Sequence, residues 1–147
     1  FFARYIEGRE VVDYARLLAH AGYLLEPAAP GRAWTGELQL EPTTDGLSVV
    51  SLAPFATPVY DAGLDLGDVI VRIDGEPADR SRWNALADRA PGSTHELVVR
   101  RRDGRQVTTR ITLAADPTMR IQPAETVRSL TPDEQSFRGI WLGSRVR

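Results

Sequence analysis

An α+β fold of five to six strands and two helices, flanked by further helices at both ends, is what this sequence predicts. Three observations carry the prediction. Short runs alternate apolar and polar residues between turn-forming pairs, as half-buried strands do. One helix-length segment interrupts those runs near the middle of the chain, and amphipathic helical spacing returns only towards the ends. At 147 residues the chain suffices for one well-buried domain with appendages.

Taken in order, Phe1, Phe2, Tyr5 and Ile6 fall at helical spacing and Gly8 ends that segment. Tyr14, Leu17, Leu18 and Ala21 form a second apolar stripe, with His20 in the last turn and Gly22 just beyond. Short amphipathic helices need a surface to pack against, either the domain that follows or a helical domain upstream. Trp34 to Glu41 alternates and leads to Asp45-Gly46, a tight-turn pair. Leu47 to Leu52 makes the next strand, stopped by Pro54.

The segment from Pro58 to Gly75 reads as a short helix, a turn at Gly63, a second turn at Leu66-Gly67-Asp68 and a buried strand from Val69 to Ile73. In that strand Val69, Val71 and Ile73 alternate with Arg72, while Leu64 and Leu66 are placed to plug the turns into a core. The strand exits at Asp74-Gly75. A helix follows from about Asp79 to Ala90, N-capped by Asp79 or Ser81 and halted by Pro91-Gly92. Glu96 to Arg102 and Gln106 to Leu113 then form a hairpin across Asp103-Gly104, with Val107, Thr109, Ile111 and Leu113 on one face. Beyond Ala114-Ala-Asp-Pro117 the chain reads as irregular through Pro123. Thr131-Pro-Asp-Glu134 is a capping box opening a helix over 132–142, whose apolar face is Phe137, Ile140 and Trp141. The expected organisation is therefore a helical segment over 1–30, a compact core domain over 31–115 and a C-terminal extension over 116–147.

Composition narrows the function. The net charge of −2 gives no general attraction to nucleic acid or anionic membranes. The 18 basic residues are all Arg, and the chain has no cysteine, so disulfide and thiolate chemistry are out. No apolar run is long enough to span a bilayer. The two histidines, His20 and His95, stand 75 positions apart, and neither H-E-x-x-H nor G-x-S-x-G occurs. His20 fits a helix C-terminus and His95 the start of a strand. Asp61, Asp65, Asp68 and Asp74 fit caps and turns, lacking the spacing of a calcium loop. The basic tip Arg100-Arg-Arg-Asp-Gly-Arg105, without interleaved aromatics, fits a solvated edge. The expectation is a chain with no catalytic residue, no metal site and no cofactor of its own.

The string Ala62-Gly-Leu-Asp-Leu-Gly-Asp68-Val-Ile-Val-Arg-Ile-Asp-Gly75 resembles the A-G-L-x-x-G-D-x-I-x-x-I-N-G signature of PDZ domains, with Asp74 in place of the usual Asn. The resemblance implies a PDZ-like, partly open barrel or sandwich, and a groove that takes a peptide C-terminus by strand addition. Such a groove needs loop amides for the carboxylate directly before an exposed strand. The matching place is Trp34-Thr35-Gly36-Glu37, leading into Leu38-Gln39-Leu40. Glu37 stands where an apolar residue is usual, and its carboxylate would repel the ligand if turned inward. The opposite wall would be the helix with Trp83, Leu86, Ala87 and Ala90; Trp83 and Ala87 are candidate groove residues, and a core position for Trp83 is the alternative.

The flanks carry a second resemblance. Phe1-Phe-Ala-Arg-Tyr-Ile-Glu-Gly8, the helix ending Ala21-Gly22, and Leu130-Thr-Pro-Asp-Glu-Gln-Ser-Phe-Arg-Gly-Ile-Trp-Leu-Gly143 look like the end of the catalytic domain and the tail of glycyl aminopeptidase-family zinc metallopeptidases. This implies the noncatalytic PDZ module of a bacterial zinc aminopeptidase of the periplasm or cell envelope. Its partners would be a peptide or protein C-terminus and the upstream catalytic domain, whose cleft it could brace. Zinc belongs to that parent, and no ligand residue carries over to this chain. The alternative is the PDZ module of another envelope protease, trypsin-like or an intramembrane metalloprotease.

Overall fold

A computed structural model describes residues 13–143. The helix expected around Phe1 to Gly8 lies outside the described residues. The chain divides into two compact units, one formed by residues 13–28 with 118–143 and the other by residues 29–117.

In the first unit, helix α1 (Tyr14–His20) is capped by Asp13, whose carboxylate accepts the Arg16 amide at 3.0 Å. Strand β1 (Tyr23–Pro27) follows at once. It was expected as part of a helical segment, but its five residues pair antiparallel with a strand at Met119–Pro123, in the stretch read as irregular. The C-terminal helix (Pro132–Gly143) opens with the expected capping box: Glu134 accepts the Thr131 amide at 2.8 Å, and Thr131 Oγ1 accepts the Glu134 amide at 3.3 Å. Arg138 fastens this helix to the rest of the unit. It donates to the carbonyls of Ala21 and Gly22 at 2.8 and 2.6 Å, pairs with Glu125, and lies 4.5 Å over the Tyr23 ring. Phe137, Ile140 and Trp141 stay exposed.

The second unit contains the hydrophobic core. β2 (Ala33–Trp34) pairs with a short strand at Ala114–Ala115. β3 (Leu40–Thr43) and β4 (Gly46–Val49) form a hairpin through Thr44-Asp45, and α2 (Pro58–Asp61) is capped by Thr57. β5 (Val69–Ile73) turns into β6 (Glu76–Pro77) through Asp74 and Gly75, both at positive φ as a type I′ turn requires. α3 (Arg80–Ala85), capped by Asp79, passes into a 3-10 turn at Leu86–Asp88, ending shorter than expected. β7 (Thr94–Arg100) and β8 (Gln106–Thr112) make the predicted hairpin. The remaining elements are β9 (Ala114–Ala115), β10 (Met119–Pro123) and α4 (Pro132–Gly143).

The main sheet runs β3-β4-β5-β7-β8, with β6 attached to β5, and does not close into a barrel. Its inner face buries Leu47, Val49, Ile70, Leu97, Val99 and Ile111 against α2 and α3. Two expectations shift here. In β5 the inward residues are Ile70 and Ile73, because a bulge between Ile70 and Arg72 resets the alternation at Val71. Leu64 is buried but Leu66 is exposed, so only the first of the two plugs the turn.

Candidate functional site

The site begins where the expected Trp34–Glu41 strand breaks. Gly36 has φ +107°, and a Cβ there would stand 2.7 Å from Val59 Cγ2 and 2.9 Å from Thr57 Cβ. The adjoining Thr35 carbonyl accepts the Val59 amide at 2.9 Å. Only glycine permits both that backbone angle and that approach, so β2 stops at Trp34 and β3 starts at Leu40. Among the described residues, no acceptor takes the amide N–H of Gly36, Glu37 or Leu38. Three consecutive amides are thus left open at the loop, while Gln39 donates to Ser51 Oγ at 3.0 Å. The Glu37 side chain is exposed. The rings of Phe55 and Tyr60, which flank in sequence the Thr57–Val59 segment packed on Gly36, meet edge-on at 5.2 Å and are both exposed.

β3 is an edge of the main sheet. Val50 donates to the Gln39 carbonyl at 3.0 Å, so the antiparallel alternation turns Gln39, Glu41 and Thr43 towards β4. The N–H and C=O of Leu40 and the C=O of Pro42 therefore face outward. Pro42 has no N–H, so Leu40 is the one residue of β3 able to exchange two hydrogen bonds with an added strand. The wall across this edge is α3, whose Arg80 guanidinium donates to the Leu40 carbonyl. The 3-10 turn after α3 packs beside β2. The groove thus has a loop end, with Trp34 to Leu38 and the half-buried Ala87, and a far end with Leu40 and Arg80.

Of the sequence candidates, Thr35, Gly36, Glu37, Leu38, Gln39 and Leu40 line this loop and edge, with the Leu38 and Leu40 side chains turned to the core. Trp34 sits in β2, paired with Ala114. Trp83 is not a groove residue. It is 7% exposed within the core cluster, because the Asp79 cap sets a register that turns Trp83 and Leu86 inward and leaves Arg80 and Asn84 outside. Arg80 was missed. A contact forty positions away leaves no local signal in sequence.

The signature carboxylates act as turn braces. Asp68, 2% exposed, accepts the Asp65 amide at 3.0 Å and pairs with Arg101 at 2.5 Å; Asp65 accepts the Leu66 amide at 2.7 Å. Asp74 accepts the Glu96 amide at 2.9 Å and His95 Nδ1 at 2.7 Å, while His95 Nε2 meets Ser93 Oγ at 3.1 Å. Partial burial pushes the Asp74 carboxyl up, but the bonds from His95 and Glu96 and the nearby His95 and Arg89 charges hold it below the usual carboxylate range. Asp74 is half exposed, and this chain of contacts ties the β5–β6 turn to β7.

Residues 38–113, just over half of the chain, match the family model described as PDZ domain, and the chain belongs to the PDZ domain family. Its fold is similar to that of an aminopeptidase N family protein from Idiomarina loihiensis, at 21% identity and TM-score 0.62, covering 91% of this chain and 25% of that one. It is also similar to the HtrA-type protease AlgW, solved with a decapeptide, at 28% identity and TM-score 0.51, covering 60% of this chain and 30% of that one. The chain spans less than a third of the length of either. The sequence matches no curated protein.

Proposed function

We propose that residues 29–117 receive the C-terminus of a peptide or protein chain by strand addition and perform no chemistry themselves. The observation that carries this reading is the run of three open amides at Gly36, Glu37 and Leu38, delivered directly to an edge strand. A carboxylate accepts two or three such N–H bonds, and Leu40 supplies the pairing that follows. The likeness to AlgW, which was solved with a decapeptide, supports a peptide ligand.

The parent we infer is a zinc aminopeptidase of the bacterial periplasm or envelope, for which this chain is the C-terminal PDZ region. The flank motifs and the likeness in fold to an aminopeptidase N family protein support it. Among the described residues no three His, Cys, Asp or Glu side chains converge as a metal ion would need; in the parent inferred here, zinc would be held by the catalytic domain. No helix among the described residues is long and apolar enough to cross a membrane. An HtrA-type parent is the second reading, favoured by the AlgW likeness.

The groove is tested with one fluorescein-labelled hexapeptide, Gly-Ser-Gly-Asp-Ala-Val, as free acid and as C-terminal amide. Loss of a charge-assisted bond, worth about 1.5–3 kcal/mol, should weaken the amide by about tenfold or more in polarisation titrations. Equal affinity for the two would refute a carboxylate site.

A further inference from the structure

A second cavity opens within residues 29–117, on the side of α3 turned away from the groove. Arg80 and Ala87 stand on the groove side, about two helical turns apart. Arg82, Ala85, Leu86 and Arg89 follow the i, i+3, i+4, i+7 spacing of the opposite side. Together with Ile73, Asp74 and Glu76 of the β5–β6 turn they enclose about 320 Å³. The floor is apolar, from the buried Ile73 and Leu86. The mouth carries two guanidiniums and two carboxylates that do not close on each other. Arg82 stands 3.6 Å from Glu76 and 3.8 Å from Asp79, beyond the length of about 2.7–2.9 Å typical of a charged N–H···O bond. Among the described residues Arg89 has no ion pair and no side-chain hydrogen bond, although its charge reaches Asp74. Asp74 is already committed to His95 and the Glu96 amide, which leaves Glu76 as the carboxylate with room for a donor.

We propose that this cavity binds a free α-amino acid with an apolar side chain, at a site separate from the strand-addition groove. A zwitterion of that size matches the cavity feature by feature. Its carboxylate meets Arg89, the guanidinium without a partner, whose planar fork suits two parallel N–H···O bonds. Its ammonium meets Glu76, which Arg82 approaches without a hydrogen bond. Its side chain lies on Ile73, Ala85 and Leu86 and buries apolar surface there. The volume falls at the small end of ligand cavities, which run from about 300 to 1,000 Å³, so a single residue fits where a peptide does not. A ligand with only one of the two charges covers the mouth and leaves either Arg89 or Glu76 desolvated without a partner. Each end of the zwitterion is thus a condition of binding, imposed by a cost on ligands that lack it. The inference does not depend on what the groove receives.

The test titrates L-leucine, N-acetyl-L-leucine and L-leucinamide into the nitrogen-labelled full chain. Amide shifts are followed at Gly75, Glu76, Ala85 and Arg89 for the cavity, and at Gly36 and Leu38 for the groove. Wild type should bind L-leucine saturably at the cavity, about tenfold or more tighter than either analogue, each of which lacks one charge. Arg89→Gln should weaken L-leucine about tenfold and bring it within about twofold of L-leucinamide. Glu76→Gln should likewise bring L-leucine within about twofold of N-acetyl-L-leucine. Circular dichroism verifies that both variants fold, and the comparison of the three ligands on wild type decides by itself whether both charges are read. No saturable shift at the cavity with tens of millimolar L-leucine, or shifts confined to the groove amides, would overturn the proposal. An analogue that binds wild type as tightly as L-leucine does, or a preference for L-leucine that survives unchanged in either variant, would overturn it as well.

Discussion

Gly36 decides the geometry of the candidate site more than any side chain in it. Its φ of +107° and the space its missing Cβ leaves against Val59 and Thr57 bend the chain where the amides of Gly36, Glu37 and Leu38 have no acceptor among the described residues. A branched side chain there must both adopt a disfavoured backbone angle and push into a fully buried valine. Backbone strain and overpacking each cost on the order of 1–3 kcal/mol. Gly36→Val should therefore lower the melting temperature by on the order of 10 °C as well as weaken peptide binding. An unchanged melting temperature would mean that the loop backbone tolerates the bulk and that Gly36 does not set the site. At the far end the Arg80 guanidinium donates to the Leu40 carbonyl.

Among the elements, the C-terminal helix shows how a cap becomes sensitive to pH. Glu134 is held down to about 2, first by the two bonds from Arg128 and next by the Thr131 amide. Its folded value lies below the ordinary 4.5, so the carboxylate adds stability above about pH 4.5 that is lost as pH falls through about 2. Glu134→Gln, which keeps a cap but removes the charge, should melt below wild type at neutral pH. The difference in their thermal transitions, followed by circular dichroism, should shrink between those two pH values and vanish below them. A gap that persisted at pH 2 would assign the stabilisation to geometry alone. This helix and the β7–β8 hairpin were legible in sequence because their signals are local: a Thr-Pro-Asp-Glu cap and an alternation across Asp103-Gly104. The β1–β10 pair was not, since Tyr23 and Pro123 meet across the whole intervening unit with no turn to announce it. Alternation also misled in β5 and around Gly36, where a bulge and a glycine bend break the period that periodicity reasoning assumes.

At the scale of the whole molecule, residues 29–117 carry the core, the edge strand and the groove, and belong to the PDZ domain family. The PDZ fold was legible because its turn-and-strand signature is contiguous, whereas the groove's working residues are split between a loop, an edge and a helix forty positions apart. The first unit holds together separately through the Arg138 clasp on Ala21, Gly22 and Glu125. The central claim is that the open amides of the Gly36–Leu38 loop are the binding site for a terminal carboxylate. Proton–nitrogen correlation spectra of labelled protein, titrated with the free-acid hexapeptide and then its amide, test it most directly. The account predicts that the amide protons of Gly36, Glu37 and Leu38 move downfield with the free acid far more than with the amide, while Gly104 at the distant hairpin tip stays still. Shifts of equal size with both peptides, or shifts that leave those three amides untouched, would contradict it.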